Sequence, residues 1–512
     1  MFKKALVFLF CICLIFTMVA CNSNSGENKD NTPSEYYEFE GDPILDENGV
    51  PTLAPTSKYT DPSIYTIDTL VSMGIEEKRV SDEEIQKAAD ERLEAIENNP
   101  DTLVPAEGGK YIYVANGGVD RRGYGETPEK PFATIEYANL VAKAGDVVVL
   151  KRGHFWRTRV VGKEGVSYGA YGEGDKPTIY GSLSNAAKKE WVKEDKNIYK
   201  VQSGIASDIG LIVFDHGKAI GSKKIMKSWL KNDYDFYCSG GYLYVYSSKG
   251  NPAKLFKDIE FCHHEHIVKM KSNSTIQNWR IMYGGSHGIQ TGGVEDIVID
   301  GCVIGYIGGC FQMEKSYVRF GNGIEVWGSC DGYTIKNCHV YQCYDAGITM
   351  QFQGETEKIV IEQNILFENN LLELNNYNIE YFLNPVPIEG SIIKDVSIKN
   401  NIIRGGGFGW GYHSRGDRDY GTNIMGGGTN VTANFVYTGN IFEHAKSMLI
   451  TIRSADEKHL PTFTGNTYAQ YEKTQVLERQ GFPYKIKKHG QKIYTDIIGD
   501  KSAKIILYQG DK

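Results

Sequence analysis

The sequence has no block rich in Lys and Arg, no C-x-x-C pair and little proline, with 15 Pro among 512 residues. No basic block is present, and the 64 acidic side chains outnumber the 56 basic ones. No nucleic-acid partner is therefore predicted. The missing C-x-x-C spacing argues against a zinc cluster and a disulfide framework. Gly (57) and Tyr (33) are abundant, which is typical of an all-β protein with many turns and many flat aromatic surfaces.

The N-terminus has the pattern of an export signal. After a positive start, the apolar run at residues 5–20 is too short for a membrane span and ends in Met18-Val19-Ala20-Cys21. This ending resembles a lipobox, so residues 1–20 are predicted to be a lipoprotein signal peptide and Cys21 the lipidated membrane anchor. The alternative is an ordinary signal peptide with an incidental Cys. We expect a monomeric lipoprotein at the cell surface, with residues 21–62 as a flexible tether.

The cysteines beyond the signal are predicted to be buried free thiols. Ten Cys less Cys11, Cys13 and Cys21 leaves seven, an odd number that does not pair completely within one chain. Several lie within strand patterns, as Cys302 and Cys338 do.

One clear helix is predicted within residues 63–110, the N-terminal helical segment. It runs from Ser81 to Asn98, with Ser81 as its cap and Glu84 completing a capping box. One helix face is formed by Ile85, Ala88, Ala89, Arg92, Leu93 and Ile96. We expect this helix to cover the open end of the following domain.

The start of the main domain resembles a known fold family. Tyr111-Ile-Tyr-Val, then Thr127-Pro-Glu-Lys-Pro-Phe-Ala-Thr-Ile, then Ala144-Gly-Asp-Val-Val-Val-Leu are similar to the first coils of pectate-lyase-like right-handed β-helix proteins. The resemblance implies a strand, a short helix and a strand that begin a solenoid. We therefore expect a right-handed parallel β-helix over residues 111–470, interrupted by a small β-element at 188–260 and closed by a cap at 471–512.

An internal repeat supports this solenoid. Seven copies of an apolar, variable, apolar, polar, Gly/Asn, Asn/Cys pattern begin at Thr275, Ile297, Tyr333, Ile359, Val396, Phe435 and Pro461. Gly and Asn tolerate the positive φ of a tight bend between strands. The copies predict one column containing Asn364, Asn401, Asn440 and Asn466, with Cys302 and Cys338 in the same column.

A second strand in each coil carries the candidate site. Aligned on Ile324, Ile348, Ile379 and Trp410, four segments span 323–327, 347–351, 378–382 and 409–413. Because strand side chains alternate, one outer face receives Glu325, Thr349, Glu380, Trp327, Gln351, Phe382 and His413. Glu325 and Glu380 lie two coils apart, roughly 9–10 Å, and Asp345 shares their outward parity. Inverting glycosidases hold their two carboxyl groups about 6.5–9.5 Å apart.

The leading hypothesis is a glycoside hydrolase acting on an extracellular polysaccharide. Glu380 with Glu325 or Asp345 is the predicted acid/base pair. The predicted substrate-binding residues are Trp327, Gln351, Thr349, His413 and Arg415. The run Arg319-Phe-Gly-Asn-Gly-Ile-Glu, with Tyr344-Asp-Ala-Gly-Ile-Thr-Met-Gln, resembles secreted bacterial β-helix proteins of the carbohydrate-active kind, which supports the fold more than the chemistry.

Two alternatives stay open, a polysaccharide lyase on a uronate and a non-catalytic glycan-binding protein. An acidic groove disfavours an anionic polymer, and hence the lyase. No cofactor and no metal site are predicted. Ca²⁺ occurs in many β-helix lyases, but no cluster of acidic ligands supports it, and His263-His264-Glu265-His266 lacks the H-E-x-x-H spacing.

Overall fold

A computed structural model describes residues 44–45, 51–52, 82–182, 185–312, 318–352, 358–383, 388–415, 420–427, 431–453 and 456–508. All of these belong to one unit, Phe39–Lys512. The predicted signal peptide, Cys21 and Ser81 lie outside them, and within the predicted tether Ile44–Leu45 pairs with Pro51–Thr52. No helix in this part of the chain is both long and apolar enough to cross a membrane.

Three ten-stranded sheets form the main body. Sheet 1 contains Tyr111–Val114, Val147–Lys151, Ser167–Tyr171, Ser274–Gln277, Val294–Asp300, Cys330–Lys336, Ile361–Glu368, Ile392–Lys399, Thr432–Thr438 and Thr462–Thr464. Sheet 2 contains Phe155–Arg157, Thr178–Tyr180, Arg280–Gly284, Val303–Ile307, His339–Cys343, Leu371–Glu373, Ile402–Arg404, Ile441–Glu443, Thr467–Tyr471 and Lys504–Tyr508. Sheet 3 contains Val160–Val161, Val268–Lys269, Ile289–Gln290, Ile324–Trp327, Ala346–Gln351, Tyr377–Phe382, Thr422–Gly426, Met448–Ile452, Gln475–Arg479 and Phe482–Lys485.

From Ser274 to Arg479 the chain visits sheets 1, 2 and 3 in turn and, after each of these rounds but the last, returns to sheet 1 one strand further along. Within the three sheets, every strand pair is parallel except the last pair of sheet 3, where Gln475–Arg479 meets Phe482–Lys485. The predicted parallel β-helix is therefore confirmed. Most inward positions form columns of stacked apolar side chains, as Ile297, Tyr333, Ile365, Val396 and Phe435 do in sheet 1.

A ladder of buried amides follows the sheet 1 strands. Asn370, Asn401, Asn440 and Asn466 each accept a backbone N–H from the preceding coil, and the last three each also accept the side-chain amide of the preceding Asn, at 2.9–3.0 Å. The prediction of Asn364 was wrong, because two matches to the repeat lie six residues apart in that coil. Asn364 lies inside the strand with a φ of 57°, and its side-chain amide donates to Asp331.

Breaking this ladder is expected to cost stability. Asn401→Ala leaves the buried Asn370 N–H and Phe367 carbonyl without the Asn401 amide, a loss of about 2–4 kcal/mol in the free energy of unfolding. Urea unfolding checks it, with exposed Asn364→Gly as the control that retains the positive φ. Equal stability of the two variants contradicts the ladder's role.

The N-terminal helix runs from Glu83 to Glu97, and its N-cap is Asp82, which accepts from the backbone of Glu84 and Ile85. Its buried residues are Ile85, Ala89 and Ile96, all of which lie on the predicted face. The helix does not close an end of the solenoid. Ile85 packs on Ala469, Tyr471 and Tyr508, and Asn99 bonds Asn278, so the segment crosses the outer side of sheet 2 over several coils.

The two ends are closed by other elements. Helix Ile135–Val141 buries Ile135 and Ala138 in the solenoid core beside the first strands. At the far end the sheets continue past residue 470, since Lys504–Tyr508 pairs with Thr467–Tyr471. A π-helical turn at Ile493–Ile498 buries Ile493 and Tyr494 against the last coils.

The insertion has its own core. Trp191–Asp195, Ile198–Gln202, Ser222–Lys223, Asp235–Ser239 and Tyr242–Tyr246 form one sheet, and Ile209–Phe214, Ala219–Ile220 and Ile259–His263 form another. Short helical turns are Ala186–Lys188, Asp215–Gly217, Lys227–Trp229 and Pro252–Leu255. Trp191, Phe214, Phe236 and Phe261 are buried between these elements.

The seven described cysteines are all free thiols, and six are buried. Cys302 and Cys338 lie in neighbouring coils, each after its sheet 1 strand. The prediction of buried free thiols is therefore confirmed for all but the partly exposed Cys238.

Candidate active site on sheet 3

The outer face of sheet 3 brings two predicted carboxylates into one column. Glu325 pairs in register with Thr349, and Thr349 with Glu380. The two carboxylates are therefore two strands apart, roughly 9–10 Å between backbones. The Thr349 hydroxyl between them is wholly buried, and no described residue is its hydrogen-bond partner. This arrangement leaves a polar floor between two acidic side chains.

Glu325 is held in place by two hydrogen-bond donors. His287 Nε2 lies 2.9 Å and Gln351 Nε2 3.1 Å from Glu325 Oε1. The Nδ1 atom of His287 accepts the backbone N–H of Asn322 at 3.0 Å, so the ring proton is on Nε2 and points at the carboxylate. The two donors fix the orientation of the Glu325 carboxylate, and the residue is only 4% exposed.

Asp345 precedes its sheet 3 strand and pairs with a cation. Arg415 Nη1 lies 2.8 Å from Asp345 Oδ1 and also donates to the carbonyl of Tyr344 at 3.2 Å. The guanidinium lies over the Tyr344 and Tyr377 rings, 5.0 and 5.7 Å from their centroids. Arg415 thus fixes the carboxylate from a segment outside the sheet.

Glu380 has a different environment from Glu325. Burial raises the pKa of Glu380 well above its usual value, and the negative charge of Asp345 raises it further. The positive charges of Arg415 and Arg453 oppose this rise. Glu380 therefore favours the protonated form, which is the form that a general acid needs.

Aromatic side chains gather at the carboxyl ends of these strands. Trp327, Gln351 and Phe382 share a column, and the Trp327 ring lies 5.7 Å from that of Phe352. All three rings are partly exposed. They form a surface, here called the aromatic platform (Trp327, Phe352, Phe382), of the kind that packs on the apolar faces of sugar rings.

The predicted strand at 409–413 was wrong. Trp410–Ser414 is a short helix, and the fourth strand of the column is Thr422–Gly426, with Ile424 in the place given to Trp410. The Trp410 indole donates to the carbonyl of Gln342 at 2.8 Å and packs on Tyr344, outside the solenoid interior. His413 therefore lies on the helix, beside Tyr412, and not on the sheet.

Arg319 joins three segments beside the site. It donates to the carbonyls of Gly309 (2.6 Å), Ser414 (2.8 Å) and Gly210 (3.2 Å). These carbonyls belong to the loop after sheet 2, the helix with His413, and the insertion. The Arg319 guanidinium also stacks over Tyr344 at 4.3 Å. The Arg319 side chain thus holds together the three segments that flank Asp345.

His287 was missed at the level of sequence. Gly288-Ile289-Gln290 matches Gly323-Ile324-Glu325 and Gly347-Ile348-Thr349 and lies in register with them, so extending the alignment one coil upstream would have found it. Among the described residues, no group of three His, Cys, Asp or Glu is arranged to hold a metal ion. Residues 416–419, which follow Arg415, lie outside the described ranges.

Comparisons with known proteins give a likeness of fold. No protein-family model and no curated protein match the chain. Solved structures do match, among them XylC in complex with xylose, at 13% identity and a TM-score of 0.46 over 72% of this chain and 67% of that one. An alginate lyase from a Paenibacillus species (12% identity, TM-score 0.35, 67% and 86%) and endopolygalacturonase I from Stereum purpureum (13%, 0.34, 66% and 79%) also match. The fold is the pectate-lyase-like right-handed parallel β-helix that the first coils resemble.

Proposed function

We propose that the protein is an inverting glycoside hydrolase that acts on a neutral extracellular polysaccharide. The observation that carries the proposal is the column Glu325, Thr349, Glu380, in which Glu325 accepts from two side-chain donors, while burial and the charge of Asp345 raise the pKa of Glu380. Glu380 is the general acid that protonates the leaving oxygen. Glu325, oriented by the N–H donors of His287 and Gln351, is the base that activates water, and the spacing of two strands leaves room for that water.

The remaining predicted residues take supporting roles. Asp345, paired with Arg415, holds a negative charge near Glu380 and so keeps the acid protonated. Thr349, wholly buried between the two carboxyl groups, separates them and forms the floor of the site. The aromatic platform with Trp327 binds a sugar ring beyond the cleaved bond. His413 is proposed to contact the substrate from the short helix beside the sheet. The lipid on Cys21 is proposed to hold the enzyme at the cell surface.

The test uses protein beginning after Cys21 with xylan, mannan, β-glucan, arabinogalactan and two uronate polymers. Reducing ends and the ultraviolet absorbance of unsaturated uronates are followed together, and proton NMR records the first product anomer. We expect reducing ends without absorbance and an inverted anomer. Rising absorbance means a lyase and removes the acid/base assignment. Cleavage with retention removes the water-activating role of Glu325.

His287 gives a second prediction. His287→Ala is expected to lower kcat/KM about 10- to 100-fold, because a hydrogen bond to a charged group contributes about 1.5–3 kcal/mol. His287→Gln, which retains an N–H donor, should recover part of the loss. Equal kcat/KM in His287→Ala and the wild type contradicts the assignment of Glu325 as the base.

A further inference from the structure

The insertion lines most of a cavity that the acid/base pair does not explain. Its volume is about 570 Å³, and its lining includes Asp208, Tyr242, His264 and Phe311 together with the turn at residues 238–241. Asp208 and Tyr242 come from the insertion, and His264 follows its strand Ile259–His263. Phe311 lies in Cys310–Phe311, which pairs with Arg319–Phe320 in the connection from sheet 2 to sheet 3, so the cavity lies between the insertion and this connection.

The lining combines fixed polar groups with exposed rings. The Asp208 carboxylate pairs with the buried Lys223 ammonium and accepts the backbone N–H of Phe311 at 2.8 Å, so its orientation is set. Tyr242 is 39% exposed, and Phe311 and His264 are partly exposed. A carboxylate and an imidazole can bond sugar hydroxyls, and the two aromatic rings can pack on the C–H face of a pyranose.

A chain of side-chain contacts connects the cavity wall to the candidate site. The His264 ring lies 5.5 Å from that of Phe320, Phe320 lies 5.0 Å from His287, and His287 contacts Glu325. The strand after His264, Val268–Lys269, is two strands from Ile324–Trp327, roughly 10 Å along the sheet. Arg319 fixes the insertion to this wall through the Gly210 carbonyl.

We propose that this cavity is a sugar-binding subsite, occupied by a unit of the polysaccharide next to the cleaved bond on the Glu325 side. The position of the subsite next to the cleaved bond rests on the proposed function. The affinity of the subsite for sugar is independent of that function, because its lining residues are distinct from Glu325, Asp345 and Glu380. The insertion thereby selects which chains enter the groove, while sheet 3 carries the chemistry.

The experiment compares the wild type with Tyr242→Ala/His264→Ala. Ser207→Trp fills the same cavity from an exposed lining position and guards against a folding defect in the double variant. Tyr237→Ala is the matched control, since Tyr237 lies on the same small sheet, packs on Tyr244 and does not line the cavity. Native electrophoresis through gels containing xylan, mannan, β-glucan or arabinogalactan measures binding, and reducing-end release gives kcat and KM on the same polymers.

We expect at least one polymer to retard the wild type and Tyr237→Ala, but not the two cavity variants. On that polymer the cavity variants should raise KM about tenfold with kcat nearly unchanged, the signature of lost uniform binding. If the cavity variants lose retardation but the wild type cleaves none of the polymers, the result supports the subsite and contradicts the proposed hydrolase. Equal retardation of all variants, or none of the wild type, overturns the subsite whether or not polymer is cleaved.

Discussion

Glu380→Gln is expected to lower kcat on the polysaccharide about 10²–10⁴-fold, the range that a positioned general acid contributes. The amide occupies the same volume as the protonated carboxyl but has no proton to transfer to the leaving oxygen. Substrate binding should change little, because the aromatic platform and the Glu325 side of the groove stay intact. Initial rates at several polymer concentrations measure the change, with Glu295→Gln, an exposed sheet 1 residue, as the control.

The role of Glu380 as the acid also predicts the direction of a change in the pH–rate profile. Burial and the charge of Asp345 raise the pKa of Glu380, so the acid stays protonated well above the usual range of a glutamic acid. Activity should therefore persist to correspondingly high pH before the alkaline limb falls. Arg453 lowers the pKa of Glu380 by its positive charge, and Arg453→Gln should move the alkaline limb to higher pH.

The substitution should not unfold the protein. A protonated carboxyl and an amide are both neutral, so the thermal midpoint of Glu380→Gln should match the wild type or exceed it. A variant with normal kcat removes Glu380 from the acid role. Loss of activity together with a large fall in the thermal midpoint assigns Glu380 a structural role instead.

The fold was predictable because a parallel β-helix repeats its chemistry in every coil. Columns such as Ile324, Ile348 and Ile379 follow from alternation and strand spacing alone, and the register of Glu325 with Glu380 followed with them. The errors arose where two local patterns fit equally well. In one coil Asn364 and Asn370 both satisfy the repeat, and only contacts with the neighbouring coil select Asn370.

Other features of the site depend on contacts between distant segments. Gly-Trp-Gly-Tyr-His reads as a strand, but the buried Trp410 indole needs an acceptor, and the Gln342 carbonyl supplies it in a helical turn outside the sheet. Arg415 pairs with Asp345 because the chain leaves the sheet at this helical turn. Composition and periodicity do not encode such contacts, because they are set by loop paths and not by the repeat.

Glu362→Met is expected to raise the free energy of unfolding at neutral pH by about 2–3 kcal/mol, the cost of a buried polar group without a partner. Glu362 faces the solenoid interior and is wholly buried, with no hydrogen-bond partner among the described residues. Its column in sheet 1 consists of Val294, Cys330, Glu362, Ile393 and Thr432. An unbranched apolar side chain of similar length fits that column without the desolvation cost.

The pH dependence distinguishes ionisation from packing. Burial raises the pKa of Glu362 well above its ordinary value of 4.5, so the folded protein retains a proton that the unfolded chain releases above that pH. The wild type should therefore lose stability as pH rises from about 4.5 towards the folded pKa. Glu362→Gln removes this titration but retains the unpaired polar atoms, so its curve should be flatter without the full gain of Met. Urea unfolding between pH 4 and 8 separates the three proteins, and a Met variant no more stable than the wild type at any pH would show that the Glu362 carboxyl is stabilised where it lies.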